Sequence, residues 1–448
     1  MRTAAFLGLL ALSASASAAP GSSAAQAGSS RSIQNMKQKI KNVLILEMEN
    51  RSLDNLLGGQ TIKGLENPIN NGPFCNPLNV SQPNQGYACT GASDYDEILD
   101  DPDHAIYGNN IEWYGEFTPD NAAVQSGQLQ ATMQGFCDEQ IRLYNAKENK
   151  SVLAHQVMHY YTEEQVPVLT ALTNNFVVMN NWFSDIPGPT NPNRVALTSG
   201  TSAGKGANNF NNGSMMQRSI FQQLSETHHT WKNYVTDTTM QDALWYNWTY
   251  TSGNTKLVQP MSQFYADAAN GSLPEFTFLN PSCCGVGTSS MHPTGLVSDG
   301  ERLIKNIYEA LRASPQWNSS LLIITFDETG GFHDHMPPPL AVRPDNLTYT
   351  ATTPNGQNYT FHFDRLGGRM PTWLISPWVE GAHVEKTGTN CDRETVAYSS
   401  TSILRTLGYL WNFGPFTPRV EKAPSFDHLV RAYLRTDTPA KLPEVVTF

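Results

Sequence analysis

Two short, uninterrupted apolar runs, Val43-Leu44-Ile45-Leu46 and residues 321–326 (LLIITF), each lead into an oxygen-rich pair. The first reaches Glu49-Asn50 and the second Asp327-Glu328. A strand that is apolar at every position, not only at alternate ones, has to be covered on both faces. Residues 176–179 and Trp373-Leu374-Ile375 have the same character. Between such runs, residues 299–312 place Leu303, Ile304, Ile307, Tyr308 and Leu311 on one helical stripe, with Ser298 or Asp299 as its cap. Residues 402–410 read as a further helix. Buried strands alternating with amphipathic helices predict an α/β fold, a central mostly parallel sheet with helices on both faces. In such sheets ligands bind outside the carboxyl ends of the strands, which is where both oxygen-rich pairs fall.

The beginning of the chain reads differently. Met1-Arg2-Thr3, an apolar run over 4–12 and the triplet Ala16-Ser17-Ala18 have the pattern of a signal peptide spanning 1–18. Residues 19–40 read as a flexible Ala/Ser/Gly-rich segment, and 41–448 as a single catalytic domain. The expected location is therefore extracellular. Asn-x-Ser/Thr sequons at Asn79, Asn149, Asn212, Asn247, Asn270, Asn318, Asn346 and Asn358 predict N-glycans. Six cysteines in an oxidising compartment predict disulfides, and a Cys75–Cys89 bridge would close a short Asn/Pro/Gln-rich loop. A Cys-ligated zinc site is the alternative, without a C-x-x-C pair to support it. No stretch after the N-terminus is long and apolar enough for a membrane span. The formal charge of −11 speaks against a nucleic-acid partner, since phosphate backbones reward basic surfaces. An acidic protein still binds phosphate esters where a metal ion supplies the positive charge.

Glu49, Asp327, Glu328 and the Asn50 carbonyl are hard oxygen donors, suited to Mg, Ca, Mn or a carboxylate-rich Zn or Fe site. Asp and Asn at such places ordinarily cap turns. Two pairs at matching strand ends point instead to one shared divalent metal. After the second pair come Gly330-Gly331, which permit close backbone approach, then His333 and His335 and a run of three prolines. His335 is the better placed of the two to bind phosphate or protonate a leaving oxygen. Residues 186–194 pack three prolines and a glycine around Thr190, and a metal-activated threonine is a competent phosphoryl nucleophile. Arg194 offers a two-pronged donor for a phosphate oxygen, the alternative being a structural use by a following helix. Gly200-Thr201-Ser202-Ala203-Gly204 matches the serine-esterase elbow, but that motif needs a strand before it and a helix after it, whereas a loop-like stretch follows.

Taken together, Glu49-Asn50-Arg51-Ser52-Leu53-Asp54, Gly188-Pro189-Thr190-Asn191-Pro192-Asn193-Arg194 and the Asp327-Glu328 to His335 segment resemble the bacterial and fungal phosphoesterase family. That family holds phospholipases C of the non-haemolytic type and secreted acid phosphatases, and is related in fold to alkaline phosphatases and arylsulfatases. Asp101-Pro102-Asp103-His104, residues 155–167 and Met291-His292-Pro293 extend the likeness over about 42–410. The resemblance implies that Glu49, Asn50, Thr190, Asp327 and Glu328 hold one divalent metal, and that Thr190 becomes transiently phosphorylated. It implies that His104, His292 and His335 line the phosphate pocket, His292 and His335 as catalytic groups, with Asn191 and Arg194 as further substrate contacts. A threonine nucleophile resembles the phospholipase C branch, so the expected substrate is a phosphodiester lipid. A phosphomonoester-cleaving acid phosphatase is the alternative, and a Ser202-dependent esterase a more distant one. One departure stands out. Where many members carry Asp-His before Thr-Ser, this chain has Ser399-Ser400-Thr401-Ser402, so one pocket imidazole is missing. Asn50-Arg51-Ser52 is formally a sequon too, which a buried metal ligand would leave unmodified.

Overall fold

A computed structural model describes residues 26–448; the expected signal peptide, 1–18, and residues 19–25 lie outside the described residues. The rest of the segment read as flexible is not all loop. Ser30–Lys39 forms helix α1, with the Ser29 side chain capping its first turn. Its Met36 is buried, and its Ser32 hydroxyl donates to Asp427, which fixes the helix to the body of the protein.

The sheet has eight strands: β1 (Asn42–Met48), β2 (Val177–Met179), β3 (Trp231–Val235), β4 (Val258–Pro260), β5 (Phe276–Asn280), β6 (Ser320–Phe326), β7 (Trp373–Ile375) and β8 (His383–Glu385). Their order is β8-β2-β7-β6-β1-β5-β3-β4, and only β7 runs against the others. The mostly parallel α/β fold is as expected. β1 and β6, both buried along their whole length, lie side by side at its centre.

The further helices that matter here are α2 (Leu53–Leu57), α3 (Ile106–Tyr114), α4 (Phe136–Tyr144), α5 (Lys150–Met158), α6 (Pro167–Asn175), α7 (Thr190–Ser199), α8 (Ile220–Glu226), α9 (Met261–Asn270), α10 (Val297–Ala313) and α11 (Thr401–Trp411). Strand register shows that they cover both faces. Trp231 pairs with Phe276, so the two side chains share a face, where they meet Phe221 of α8 at 4.9 and 6.1 Å. Phe276 also meets Trp411 of α11 on that face. Tyr234, of opposite parity, meets Phe264 of α9 on the other side at 5.7 Å. Helices α3, α4 and α5 build a separate small core around Trp113, Phe136 and Leu153. This layer packs its His333 contact against Phe136, beside the loop that follows β6.

The helix expected over 299–312 is α10, and its cap differs from the expectation. Ser298 and Asp299 lie inside its first turn, and no side chain of the preceding residue caps it. The distant Asp96 does so instead: its carboxylate accepts from the Ser298 N–H at 2.9 Å and its carbonyl from the Val297 N–H at 3.2 Å. The cysteine expectation holds in part. Cys75 and Cys89 are bridged and Cys283 is bridged to Cys284, while Cys137 and Cys391 are unpaired. Removing the cap in Asp96→Ala is expected to lower stability by about 1 kcal/mol, and Asp96→Asn, which keeps an acceptor, to lose much less. Thermal midpoints of the two variants check this, and an Ala variant as stable as the parent would contradict it.

Candidate active site

β1 and β6 end level. Met48 pairs with Phe326, so Glu49 and Asp327 leave the sheet next to each other, and the Asp327 N–H still donates to the Met48 carbonyl at 3.1 Å. Two cross-links then tie the chain ends together. Asp327 Oδ1 accepts from the backbone N–H groups of Asn50 (3.1 Å) and Glu328 (2.8 Å), and the Arg51 N–H donates to the Glu328 carbonyl. Asn50 itself is in the left-handed region, at φ 56°. A β-carbon at Gly330 would stand 2.3 Å from the Asn50 carbonyl oxygen, so glycine is required there for the two loops to touch.

Beneath this junction lies Arg194, on the first turns of α7 and wholly buried. Its Nε donates to Asp327 at 3.2 Å, one terminal nitrogen to Glu47 and Asp242 at 3.4 Å each, and the other to Glu49 at 3.1 Å. Its remaining contacts are the carbonyls of Glu47 and Met48. The expected phosphate-binding role of Arg194 does not match this geometry, because its donors are spent on protein carboxylates below the strand ends. Glu47 on β1 and Glu49 just past its end both reach Arg194.

One guanidinium does not balance these acids. Among the described residues, Glu47, Glu49, Asp242 and Asp327 form ion pairs with Arg194 alone. Burial pushes the Glu49 carboxyl up to about 8, with Arg194 opposing and Asp327 adding to the rise. Glu328 is likewise pushed up to about 8 by burial, His104 opposing and Asp327 adding. Two acceptors, Asn50 Oδ1 and Glu328 Oε1, are buried without a hydrogen-bond partner. Excess buried negative charge and orphaned hard-oxygen acceptors at one place are what a divalent cation would satisfy. Asn50 Oδ1 and Glu328 Oε1 are free to ligate such an ion, whereas Glu49 and Asp327 each commit an oxygen to the Arg194 guanidinium that stands between them.

Thr190 is the first residue of α7 and 5% exposed. It lies one turn before Arg194 and so on the same helix face. Asn193 fixes the loop that leads there: its side chain donates to the carbonyls of Ile186, Gly188 and Pro189 and accepts from the Ile186 N–H. Asn193 was not anticipated as a site residue, although it sits inside the motif around Thr190. Asn191 is half-buried, with its backbone N–H on the Asn208 side chain at 2.8 Å. Pro189 and Asn208 line a cleft of about 580 Å³ together with Asp101, His104, Tyr107 and Tyr349.

His104 and His292, expected from separate motifs, do come together. Their rings stand edge to face at 6.1 Å, and Asp101 lies 4.0 Å from the first and 3.9 Å from the second. His104 Nε2 is 3.4 Å from the Asn50 side-chain amide. Burial opposes charge on His104, but Glu328 and Asp101 outweigh it and raise the ring to about 9. A cation on Glu328 would remove much of that pull. For His292 burial prevails over Asp101 and the ring is held below its ordinary value. Asp101 was the missing member of the group, and only its place in Asp101-Pro102-Asp103-His104 hinted at it.

His335 joins a different cluster, around Asp54. Its Nδ1 and backbone N–H both meet Asp54 Oδ2, at 2.7 and 2.9 Å, and its ring stacks on Phe74 at 4.3 Å. Arg369 pairs with Asp54 and Asp334 in the same cluster. His335 thus pins the loop after β6 to α2. His333 is buried against Phe136 and held neutral by that burial, far down at about 3. At the departure near the C-terminus, Ser399 bonds to Thr401, whose hydroxyl donates to Asp185. Ser202 has no elbow: it follows the end of helix α7, not a strand, and its hydroxyl donates to the Lys205 carbonyl.

The family model described as the phosphoesterase family matches residues 40–414. Non-specific phospholipase C6 of Arabidopsis thaliana is 34% identical over 419 residues, 91% of this chain and 75% of that protein. Non-specific phospholipase C3 of the same plant is 32% identical over 422 residues, 91% of this chain and 76% of that protein. Among solved structures, a protein of the alkaline phosphatase superfamily from Vibrio parahaemolyticus shows a partial likeness, with 14% identity, coverage of 58% of this chain and 64% of that chain, and a TM-score of 0.34. With a family match over most of its length, this chain belongs to the phosphoesterase family and is a hydrolase acting on phosphoric ester bonds.

Proposed function

We propose that the chain is a secreted, metal-dependent phosphoesterase of the phospholipase C type, which cleaves phosphodiester lipids through a phosphorylated Thr190. The observation that carries the metal dependence is the pair of orphaned acceptors, Asn50 Oδ1 and Glu328 Oε1, within a group of buried acids that Arg194 alone counters. The names of the plant relatives carry the substrate class. On this reading residues 41–448 act as one catalytic domain. Exposed sequons such as Asn149, Asn270 and Asn318 support glycan attachment, and the buried Asn50 stays unmodified.

Glu49, Asn50, Thr190, Asp327 and Glu328 would hold one divalent cation, which when bound lowers the pKa of a hydroxyl and offsets charge on phosphoryl oxygens. The protein does the rest. The Asn193-braced loop and the start of α7 hold the Thr190 hydroxyl over the carboxylates, and the cleft beside it admits the phosphodiester. The Thr190 oxygen forms a bond to phosphorus as the bond to the departing alcohol breaks. His104, which lines the cleft, or the neighbouring His292 gives that alcohol its proton. Water then attacks phosphorus, the threonine oxygen leaves and regains a proton, and a phosphomonoester is released. Fixed positioning of this kind supplies a large part of phosphoryl-transfer catalysis.

Thr190→Ala is expected to reduce kcat by about 10³-fold or more with circular dichroism unchanged. Near-normal turnover in that variant would sink the nucleophile assignment. On purified protein, hydrolysis of phosphatidylcholine should exceed that of p-nitrophenyl phosphate, and a chelator should abolish both. Preference for p-nitrophenyl phosphate would move the assignment to the acid-phosphatase alternative, and chelator-insensitive turnover would remove the metal from it.

A further inference from the structure

Glu49 has a neighbour that the reaction above does not use. Its Oε1 faces Arg194, while its Oε2 lies 3.6 Å from the sulfur of Cys284. Cys284 is exposed, and its bridged partner Cys283 is buried. The two sulfurs and the Glu49 carboxylate all lie within 4.8 Å of one another. This closeness is set by the loop around them. Ser282 and Ser289 bond across its neck through side chains and backbone, the Glu49 N–H donates to the Ser290 carbonyl, and the Arg51 side chain donates to the Met291 carbonyl at 2.8 Å. Opening the bridge therefore leaves both sulfurs beside Glu49.

We propose that reduction of the Cys283–Cys284 bridge creates a binding site for a soft divalent cation, Zn²⁺ or Cd²⁺, with both thiolates and Glu49 as ligands. Donors around a tetrahedral zinc stand roughly 3.5–4 Å apart, the separation that Cys284 and Glu49 already have. Thiolates select such ions over the hard cations that a purely oxygen site prefers. The reductant is a dithiol: the bridge's S–S bond breaks, its two sulfurs take up two protons and two electrons, and the dithiol is oxidised to its own disulfide. On metal binding the two thiol protons pass to solvent as two metal–sulfur bonds form. Exposure of Cys284 gives the ion its path, and in the bridged state neither sulfur is available as a thiolate. Binding itself does not depend on the phosphoesterase mechanism. Its consequence for activity does, because Glu49 is shared with the ligand set proposed for the catalytic cation, so a soft ion here should inhibit.

The test is titration of the full chain with Cd²⁺ after reduction by a small dithiol and anaerobic desalting, reading the ultraviolet cadmium–thiolate absorption. The Cys284→Ser variant keeps Cys75, Cys89, Cys137 and Cys391, so the difference between the two proteins isolates this site. The reduced parent is expected to bind one more Cd²⁺ than reduced Cys284→Ser, and the unreduced parent to lack that signal. In Glu49→Gln the affinity should fall about tenfold while the thiolate absorption remains. Equal titrations of reduced parent and Cys284→Ser would overturn the site, and an unchanged affinity in Glu49→Gln would remove Glu49 from it. Cd²⁺ bound as expected with phosphodiester hydrolysis unaffected would leave the site standing and contradict Glu49 as a catalytic ligand.

Discussion

The structure turns on one buried ion network, in which the guanidinium of Arg194 meets Glu47, Glu49, Asp242 and Asp327 under the ends of β1 and β6. Removing one partner from a buried pair typically costs about 3–5 kcal/mol, because the other charge is left without compensation. Arg194 therefore fixes the angle of α7 against the sheet, and with it the place of Thr190. The network holds more carboxyl groups than one guanidinium can compensate, which is why burial raises Glu49 so far.

A second level of order comes from loops that lock onto each other. Asn50 and Gly330 touch backbone to backbone, Arg51 reaches the loop carrying His292, and Asp54 holds His335 and Arg369. The stretch from 49 to 54 thus ties the strand end to several surrounding loops. The strand end is a hub, and its neighbours carry the histidines. Asp101 then stands between His104 and His292, and with His104 it lines the cleft.

Much of this was legible in the sequence, and what was not has physical reasons. β1, β2, β6 and β7 announced themselves as unbroken apolar runs, and the strand-end pairs followed from them. β3, β5 and β8 mix polar and apolar residues, as in WKNYV and FTFLN, so periodicity did not separate them from loops. Glu47 is a charge inside a strand buried throughout, a position that demands a buried partner. Arg194 and Asp242 are brought to it by packing across the sheet, which no local pattern encodes. His335 follows Asp327-Glu328 closely in the chain, yet after the Gly330-Gly331 turn its ring pairs with Asp54, a contact that no local pattern encodes. The cap of α10 likewise comes from Asp96, some two hundred positions away in the chain.

The central claim is that the strand ends hold one hard divalent cation through oxygens that the protein leaves without partners. The most direct test is metal content after equilibrium dialysis, compared between the parent and Glu328→Gln, which keeps the side chain's shape and removes its charge. The parent is expected to hold one tightly bound divalent ion per chain, and the variant to lose at least about tenfold in affinity with the fold unchanged. A parent that binds no divalent ion, or a variant that binds it equally well, would contradict the account.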